Sequence, residues 1–430
     1  MQSRMHLQVL TSEPTAPNGP VSLLVRGELG RGAQGIVYEV ADQDGKLHAF
    51  KCCTTNSDQA IQATKQSICT LISAGKPHDA FLWPTTWISC QSPSNKSELH
   101  GYLMPLIPCT HKPSQDLLTG QLDISLSDSI RTCIEISEAF DRLHLNGLCY
   151  RDISLGNIFI GPGGQCLLCD IDNITYDGNS GLGIIGTPGF MAPETVVAGT
   201  QPSVYTDLYS MAVLMFYIIY RGHPLEGKKE SSIRILDEQA KRLLYGEEAV
   251  YIFDASNTSN RPTEEFHPQV LCMHGIMPEI VNETFHNAFT VGLKNPGRRL
   301  VSADWCSSFR QALNQSSYCS SCNAEVFRHK CWNCEYDPTS TTQELWPEIR
   351  ETLRQSLSRI TFDLWIDSLT LVDSGRHFLT LRTEDEFQFH EVKRVYYELI
   401  RRHAANIAGY SVAIELKSPR NQTYESYRSH

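Results

Sequence analysis

No stretch of this chain is apolar for long enough to cross a membrane. The longest apolar run, Met211 to Tyr220, is far below the roughly 18 residues that a spanning helix requires, and it reads as a buried helix. Residues 1–20 have neither a long apolar core nor a small-residue cleavage site, so a short tail is expected there and not a signal peptide. Excess positive charge is also missing. The net charge is −11 and no locally basic patch stands out, which argues against broad attraction to nucleic acid or to a membrane surface. A disulfide framework is missing too. Fifteen cysteines is an odd number, and eleven of them lie without regular spacing. That pattern fits a reducing, cytoplasmic compartment.

What is present is ordinary globular material in quantity. At 430 residues with 41% hydrophobic content, the chain is expected to form two or three domains.

The most informative run is Tyr150-Arg151-Asp152-Ile153-Ser154-Leu155-Gly156-Asn157. It places a carboxylate and an amide on one tight loop. Asp170 follows, after the apolar Cys166-Leu167-Leu168-Cys169. One base and two oxygen ligands for a hard cation are what phosphoryl transfer from ATP needs. Upstream, Val21 to Leu29 is strand-like and leads into Gly30-Arg31-Gly32-Ala33-Gln34-Gly35-Ile36-Val37-Tyr38. Glycines at this spacing let backbone N–H groups approach phosphates. A dinucleotide fingerprint would open a helix, whereas the alternation of Ile36, Tyr38 and Val40 predicts a strand. The run therefore reads as a flap over ATP. Lys51 closes the next strand, Ala49-Phe50-Lys51. A lysine in an apolar strand is ordinarily an edge residue; one strand after a glycine flap it becomes the expected phosphate ligand. Helices are predicted over 57–74 and 126–145, the latter with Ile130, Ile134, Ala139 and Leu143 on its apolar face. Short strands are predicted over 158–160 and 165–169, joined by a Gly-Pro-Gly-Gly turn.

In this order the residues resemble the eukaryotic-type Ser/Thr protein kinase family over about 21–313, with an N-lobe at about 21–105 and a C-lobe at about 106–313. Gly186-Thr187-Pro188-Gly189-Phe190-Met191-Ala192-Pro193-Glu194 resembles the end of an activation segment. The run from Thr206-Asp207 resembles the start of the large central helix, and Asn295-Pro296-Gly297-Arg298-Arg299 a late segment whose arginine pairs with Glu194. The resemblance implies a bilobal α+β kinase fold, ATP and magnesium as cofactors, and protein substrates. It implies Asp152 as base, Asn157 and Asp170 as magnesium ligands, and Lys51 on the phosphates. Gly30, Gly32, Gly35, Val37, Ala49 and Met104 would line the nucleotide site, Met104 as gatekeeper. Glu194, Arg299 and Asp207 would be structural. Arg151 would either meet a phosphate on Thr175, Tyr176 or Ser180, or only brace its loop. Thr187 resembles the Ser/Thr-specific form, which favours Ser/Thr acceptors.

Three positions depart from the family pattern. The helix after Lys51 lacks a glutamate, so Gln62, Lys65 or Gln66 must fill the place of the usual ion-pair partner. Ser154 stands where Ser/Thr kinases carry a lysine. The metal-binding triplet reads Asp170-Ile171-Asp172, and Asp172 is either a second metal ligand or a turn residue. A pseudokinase scaffold that only binds nucleotide and partners is therefore the alternative. The intact base and metal residues favour activity. Ser154 and Asp172 together resemble a bacterial branch with C-terminal zinc modules. That resemblance implies, as partners, a metal-dependent phosphatase and a von Willebrand A-type protein.

Cys319-Ser320-Ser321-Cys322 and Cys331-Trp332-Asn333-Cys334 are two C-x2-C pairs. Each pair can wrap one face of a tetrahedral ion, so 316–337 is expected to be a structural zinc ribbon. Two disulfides are the alternative, as is His329 in place of one thiolate. Metal would supply the folding energy that so short a segment lacks.

Beyond a polar linker, apolar residues recur at helical spacing from Leu345 to Leu357 and again from Phe362 to Leu369. A hairpin is expected through Leu371-Val372, Gly375 and Phe378 to Leu381, then a helix over 389–403 and a strand over 411–416. The segment 343–417, in the order ααββαβ, resembles the KH-like N-terminal domain of the replication initiator DnaA, through Leu345-Trp346, Phe362-Asp363-Leu364-Trp365-Ile366 and Asp385-Glu386-Phe387. That implies a protein-interaction module, with a replication-related partner or nucleic-acid adaptor as the secondary reading. Residues 418–430 are expected to form a tail.

Overall fold

The computed structural model describes residues 6–9, 23–32, 35–54, 57–91, 98–178, 186–328, 330–334, 345–375, 378–408 and 412–419. The chain divides into two units, residues 1–317 and 318–430.

The first unit begins with a sheet closed into a barrel in the order β1-β2-β3-β4-β6-β5. Its strands are β1 (His6–Val9), β2 (Leu23–Arg31), β3 (Gly35–Ala41), β4 (Leu47–Cys53), β5 (Thr86–Gln91) and β6 (Glu98–Met104). Leu23, Val40, Phe50, Ile88 and Leu103 fill it. β1 corrects the expectation of a tail over 1–20. It pairs antiparallel with both β2 and β5. It thereby covers two strand edges whose N–H and C=O groups would otherwise lack partners. Helix α1 (Asp58–Ala74) lies between β4 and β5 in sequence, and the Ser57 hydroxyl caps it by accepting from the Ala60 N–H. Ile61, Ile68 and Leu71 form its buried face.

The remainder of this unit is mostly helical. The helix Leu126–Leu145 buries Ile130, Ile136, Phe140 and Leu143, with Ser125 as its cap. The apolar run forms most of the helix Val204–Tyr220. Ser203 and Thr206 cap it reciprocally, and Met211 to Phe216 are all buried. Phe216 packs edge-on against Phe285 and Phe289, and Phe285 against Trp305. Between the two helices lie the short strands Leu148–Cys149, Ile158–Ile160 and Cys166–Leu168. The bridge between Phe81 and Leu168 ties this region back to the segment after α1.

Where the second unit begins, Ser317–Tyr318 and Glu325–Val326 form a minimal hairpin. The C-terminal module follows the order ααββαβ: helices Leu345–Ser356 and Arg359–Trp365, strands Thr370–Gly375 and Phe378–Arg382, a helical segment from Glu386 to Ala408, and strand Ala413–Lys417. The first two strands are antiparallel, and the last pairs with the second in parallel. Trp346, Ile349, Leu353, Phe362, Ile366 and Leu379 belong to one buried core. The long helical segment starts three residues earlier than the sequence predicts, because the Asp385 carboxylate accepts from the Gln388 N–H. It passes through a π-turn at Val392–Tyr396 and runs five residues beyond its predicted end.

Candidate active site

β-strand register places the nucleotide-facing residues. Lys51 lies opposite Val37 on β3 and opposite Tyr102 on β6, and Ala49 lies opposite Met104. Ala49 and Met104 are both buried. Gly30 pairs with Val37 across the flap, and the Gly32 N–H donates to the Gly35 carbonyl over 2.9 Å. Gly35 has a packing reason of its own: a Cβ there would sit 2.5 Å from the Cys52 carbonyl oxygen. Ala33 and Gln34 lie outside the described residues.

The Lys51 side chain is buried, and its Nζ lies 2.8 Å from Asp172 Oδ1 and 3.2 Å from Asp170 Oδ1. Burial disfavours the ammonium. The carboxylates of Asp172 and Asp170 more than offset that, and the Lys51 pKa stands above its ordinary value. The Tyr102 hydroxyl also donates to Asp172 Oδ1, at 3.3 Å. Burial, reinforced by the Asp172 charge, pushes that phenol well above its usual range. Two of the three residues proposed from sequence for this place face solvent. Gln62 and Gln66 are exposed and Lys65 is half-buried.

Asp152 stands at the centre of the loop. Thr187 donates to its Oδ1 over 2.6 Å, and Asn173 donates to its Oδ2 over 3.5 Å. Asn157 donates its amide N–H to the Asp152 carbonyl at 2.8 Å. That contact leaves the amide oxygen as the Asn157 donor for a cation. Asp170 has left-handed backbone angles, φ 56° and ψ 42°, and its side chain is 40% exposed. An exposed carboxylate and an amide oxygen make a donor set of the kind magnesium takes.

The loop is held from below by Asp207. Its carboxylate accepts from the Tyr150 N–H at 2.6 Å and from the Arg151 N–H at 3.0 Å, and it meets His144 Nε2 at 3.1 Å. Arg151 has φ 75°, a conformation that costs an L-residue roughly 1–2 kcal/mol. Tyr150 donates its hydroxyl to the Cys169 carbonyl, which joins the loop to the strand ending at Asp170.

Glu194 and Arg299 form a two-pronged pair at 2.8 and 2.7 Å. Arg299 also donates to the carbonyls of Tyr205 and Gly292 and lies 5.2 Å from the Tyr209 ring centre. Thr175 and Tyr176 form a short strand against Leu148–Cys149, with Tyr176 exposed. Ser180 lies outside the described residues. Sequence reasoning missed Tyr102, Asn173 and Gly101. A Cβ on Gly101 would fall 2.0 Å from the Lys51 carbonyl oxygen.

In the second unit the four sulfurs of Cys319, Cys322, Cys331 and Cys334 all lie within 4.8 Å of one another. Cys319 to Cys334 and Cys322 to Cys331 are each 3.6 Å apart. Zn–S bonds of about 2.3 Å imply tetrahedral edges of roughly 3.8 Å, so the thiols are spaced for one zinc ion. None of the four is joined in a disulfide, against the disulfide alternative. Hydrogen bonds from the Ala324 N–H and the Asn333 amide pull the Cys322 thiol down to about 6, whereas burial pushes its neighbour Cys331 up to about 11. His329 lies outside the described residues.

A sheet lobe and a helical lobe, with a lysine, paired aspartates and a braced Asp-Asn loop between them, make the arrangement of the protein kinase fold. The chain belongs to the protein kinase family, whose domain matches residues 24–274. Residues 343–406 match the DnaA N-terminal domain. Among curated relatives, a dual serine/threonine and tyrosine protein kinase of Tetraodon nigroviridis is 30% identical over 105 residues, covering 24% of this chain and 11% of that protein. The serine/threonine-protein kinase PknK of Mycobacterium bovis is 26% identical over 229 residues, covering 50% and 19%. Protein kinase C-like 2 of Schizosaccharomyces pombe is 31% identical over 103 residues, covering 23% and 10%. The chain thus spans less than a fifth of each of these three relatives. Among the described residues no helix is long and apolar enough to cross a membrane.

Proposed function

We propose that this chain is an ATP- and magnesium-dependent Ser/Thr protein kinase, with a zinc ribbon and a DnaA-like adaptor that recruit protein partners. The carrying observation is the Asp152 carboxylate, held by Thr187 on the same segment that ends at Glu194. A substrate hydroxyl placed beside Asp152 would pass its proton to that carboxylate as its oxygen bonds to the γ-phosphorus and the bond to the β–γ bridging oxygen breaks, with ADP leaving. Lys51 would hold the α/β-phosphates, and Asn157 and Asp170 would hold magnesium, which neutralises charge on the transferring phosphate. The glycine flap would exclude water. The scaffold alternative rested on three departures from the family pattern, and the Lys51–Asp172 pair bears on one of them, the missing helix glutamate. The Thr187 contact also supports Ser/Thr acceptors. Incubation with γ-labelled ATP, followed by phosphoamino-acid analysis, tests the assignment. Phosphoserine and phosphothreonine are expected, and label on tyrosine alone would overturn it.

A further inference from the structure

We infer that Asp172 is the positioning residue for Lys51, in the role that kinases otherwise give to a glutamate on the helix after the lysine strand. The inference rests on the nucleotide-binding part of the function proposed above. The geometry carries it. Lys51 Nζ is closer to Asp172 than to Asp170, 2.8 against 3.2 Å. The Asp172 side chain is also the more buried of the two, 15% exposed against 40%. Its Oδ1 takes a second donor, the hydroxyl of Tyr102, and Tyr102 is the β6 residue paired with Lys51 across the sheet. The lysine and its anchor are thus fixed by neighbouring strands.

Two further facts agree. Helix α1 runs alongside Ile171–Asn173, yet its glutamines at 62 and 66 face solvent. The charge near Lys51 is also conserved in number: two carboxylates surround it, as a helix glutamate and a metal-binding aspartate would. With Asp170 given over to a cation, Asp172 would still hold Lys51 in place. In kinases where the partner sits on the helix, moving that helix breaks the pair and switches the enzyme. Here the anchor lies two residues from the metal aspartate, so Lys51 stays positioned whatever α1 does.

The test is ATP binding by the full chain, measured calorimetrically with magnesium saturating, and magnesium half-saturation measured with ATP saturating. Asp172→Asn is expected to weaken ATP about tenfold, the scale of one charge-assisted hydrogen bond, and to leave magnesium half-saturation where it was. Asp170→Asn should raise the magnesium requirement instead. Tyr102→Phe, which removes only a hydroxyl, should weaken ATP about threefold and serves if Asp172→Asn does not fold. Gln62→Ala with Gln66→Ala should change neither quantity. A magnesium shift in Asp172→Asn like that of Asp170→Asn would make Asp172 a metal ligand and overturn the inference. Unchanged ATP affinity in both Asp172→Asn and Tyr102→Phe would overturn it too, as would a loss in the glutamine variant. A wild-type chain that binds ATP·Mg but transfers no phosphate defeats the enzymatic reading and leaves this one standing.

Discussion

Asp207→Asn is the substitution whose consequences can be traced most closely. The Asp207 carboxylate accepts two buried backbone N–H groups, from Tyr150 and Arg151, at 2.6 and 3.0 Å. An asparagine can offer one oxygen to one of them, but its NH2 group then faces the other. One charge-assisted hydrogen bond is lost and one buried donor is left without an acceptor. Hydrogen bonds to charged groups contribute about 1.5–3 kcal/mol, and an unsatisfied buried donor costs about 1–3. Part of that cost relaxes as the loop shifts, so the expected loss is about 2–4 kcal/mol. Arg151, at φ 75°, is then free to leave its strained conformation, and Asp152 moves with it. Hydrogen exchange of the full chain is the sharpest assay, because it reads the two amides themselves. Tyr150 and Arg151 should lose protection while amides within the helix Leu126–Leu145 keep theirs. Wild-type protection at both positions, with stability lowered by less than about 1 kcal/mol, would refute the claim that Asp207 holds the loop.

Other expectations follow from the same geometry. Arg299→Ala leaves Glu194 without its partner; breaking a buried pair costs about 3–5 kcal/mol, and a urea titration of the kinase unit should show it, with Glu194→Gln failing to add its full effect in the double variant. Gly101→Ala forces β4 away from β6, since its Cβ would lie 2.0 Å from the Lys51 carbonyl oxygen; overpacking of this kind costs about 1–3 kcal/mol, and ATP affinity should fall with stability. Purified chain should carry one zinc per molecule by elemental analysis, and Cys331→Ser should lose it. Leu353→Ala should destabilise the C-terminal module by about 2–5 kcal/mol, read as lost amide protection among its neighbours in that core.

Much of this was legible in the sequence because the informative residues sit close together along the chain. The Asp152–Asn157 loop and the four cysteines are local motifs, and their spacing alone brings the right atoms within reach. The helix Leu126–Leu145 follows from apolar periodicity, and Val204–Tyr220 from its long apolar run. The order of the C-terminal module follows from the same signals. The partner of Lys51 was not legible. Asp172 is 121 residues away, beyond a turn in which Asp170 takes left-handed backbone angles. The pair therefore forms outside helix α1, the element in which the family pattern would place it. β1 was missed for a related reason. Four residues, His-Leu-Gln-Val, carry too little pattern to declare a strand, and the exposed edges that recruit them appear only once β2 and β5 are in place.

The central claim is that Asp152 serves phosphoryl transfer. Its most direct test is the rate of γ-phosphate transfer from ATP to protein, measured for wild type and for Asp152→Asn at equal ATP occupancy. The account predicts transfer by the wild type and a loss of about a hundredfold or more in the variant, the scale of general-base catalysis, with ATP binding retained. Equal label in both, with every protein acceptor tried, would contradict it.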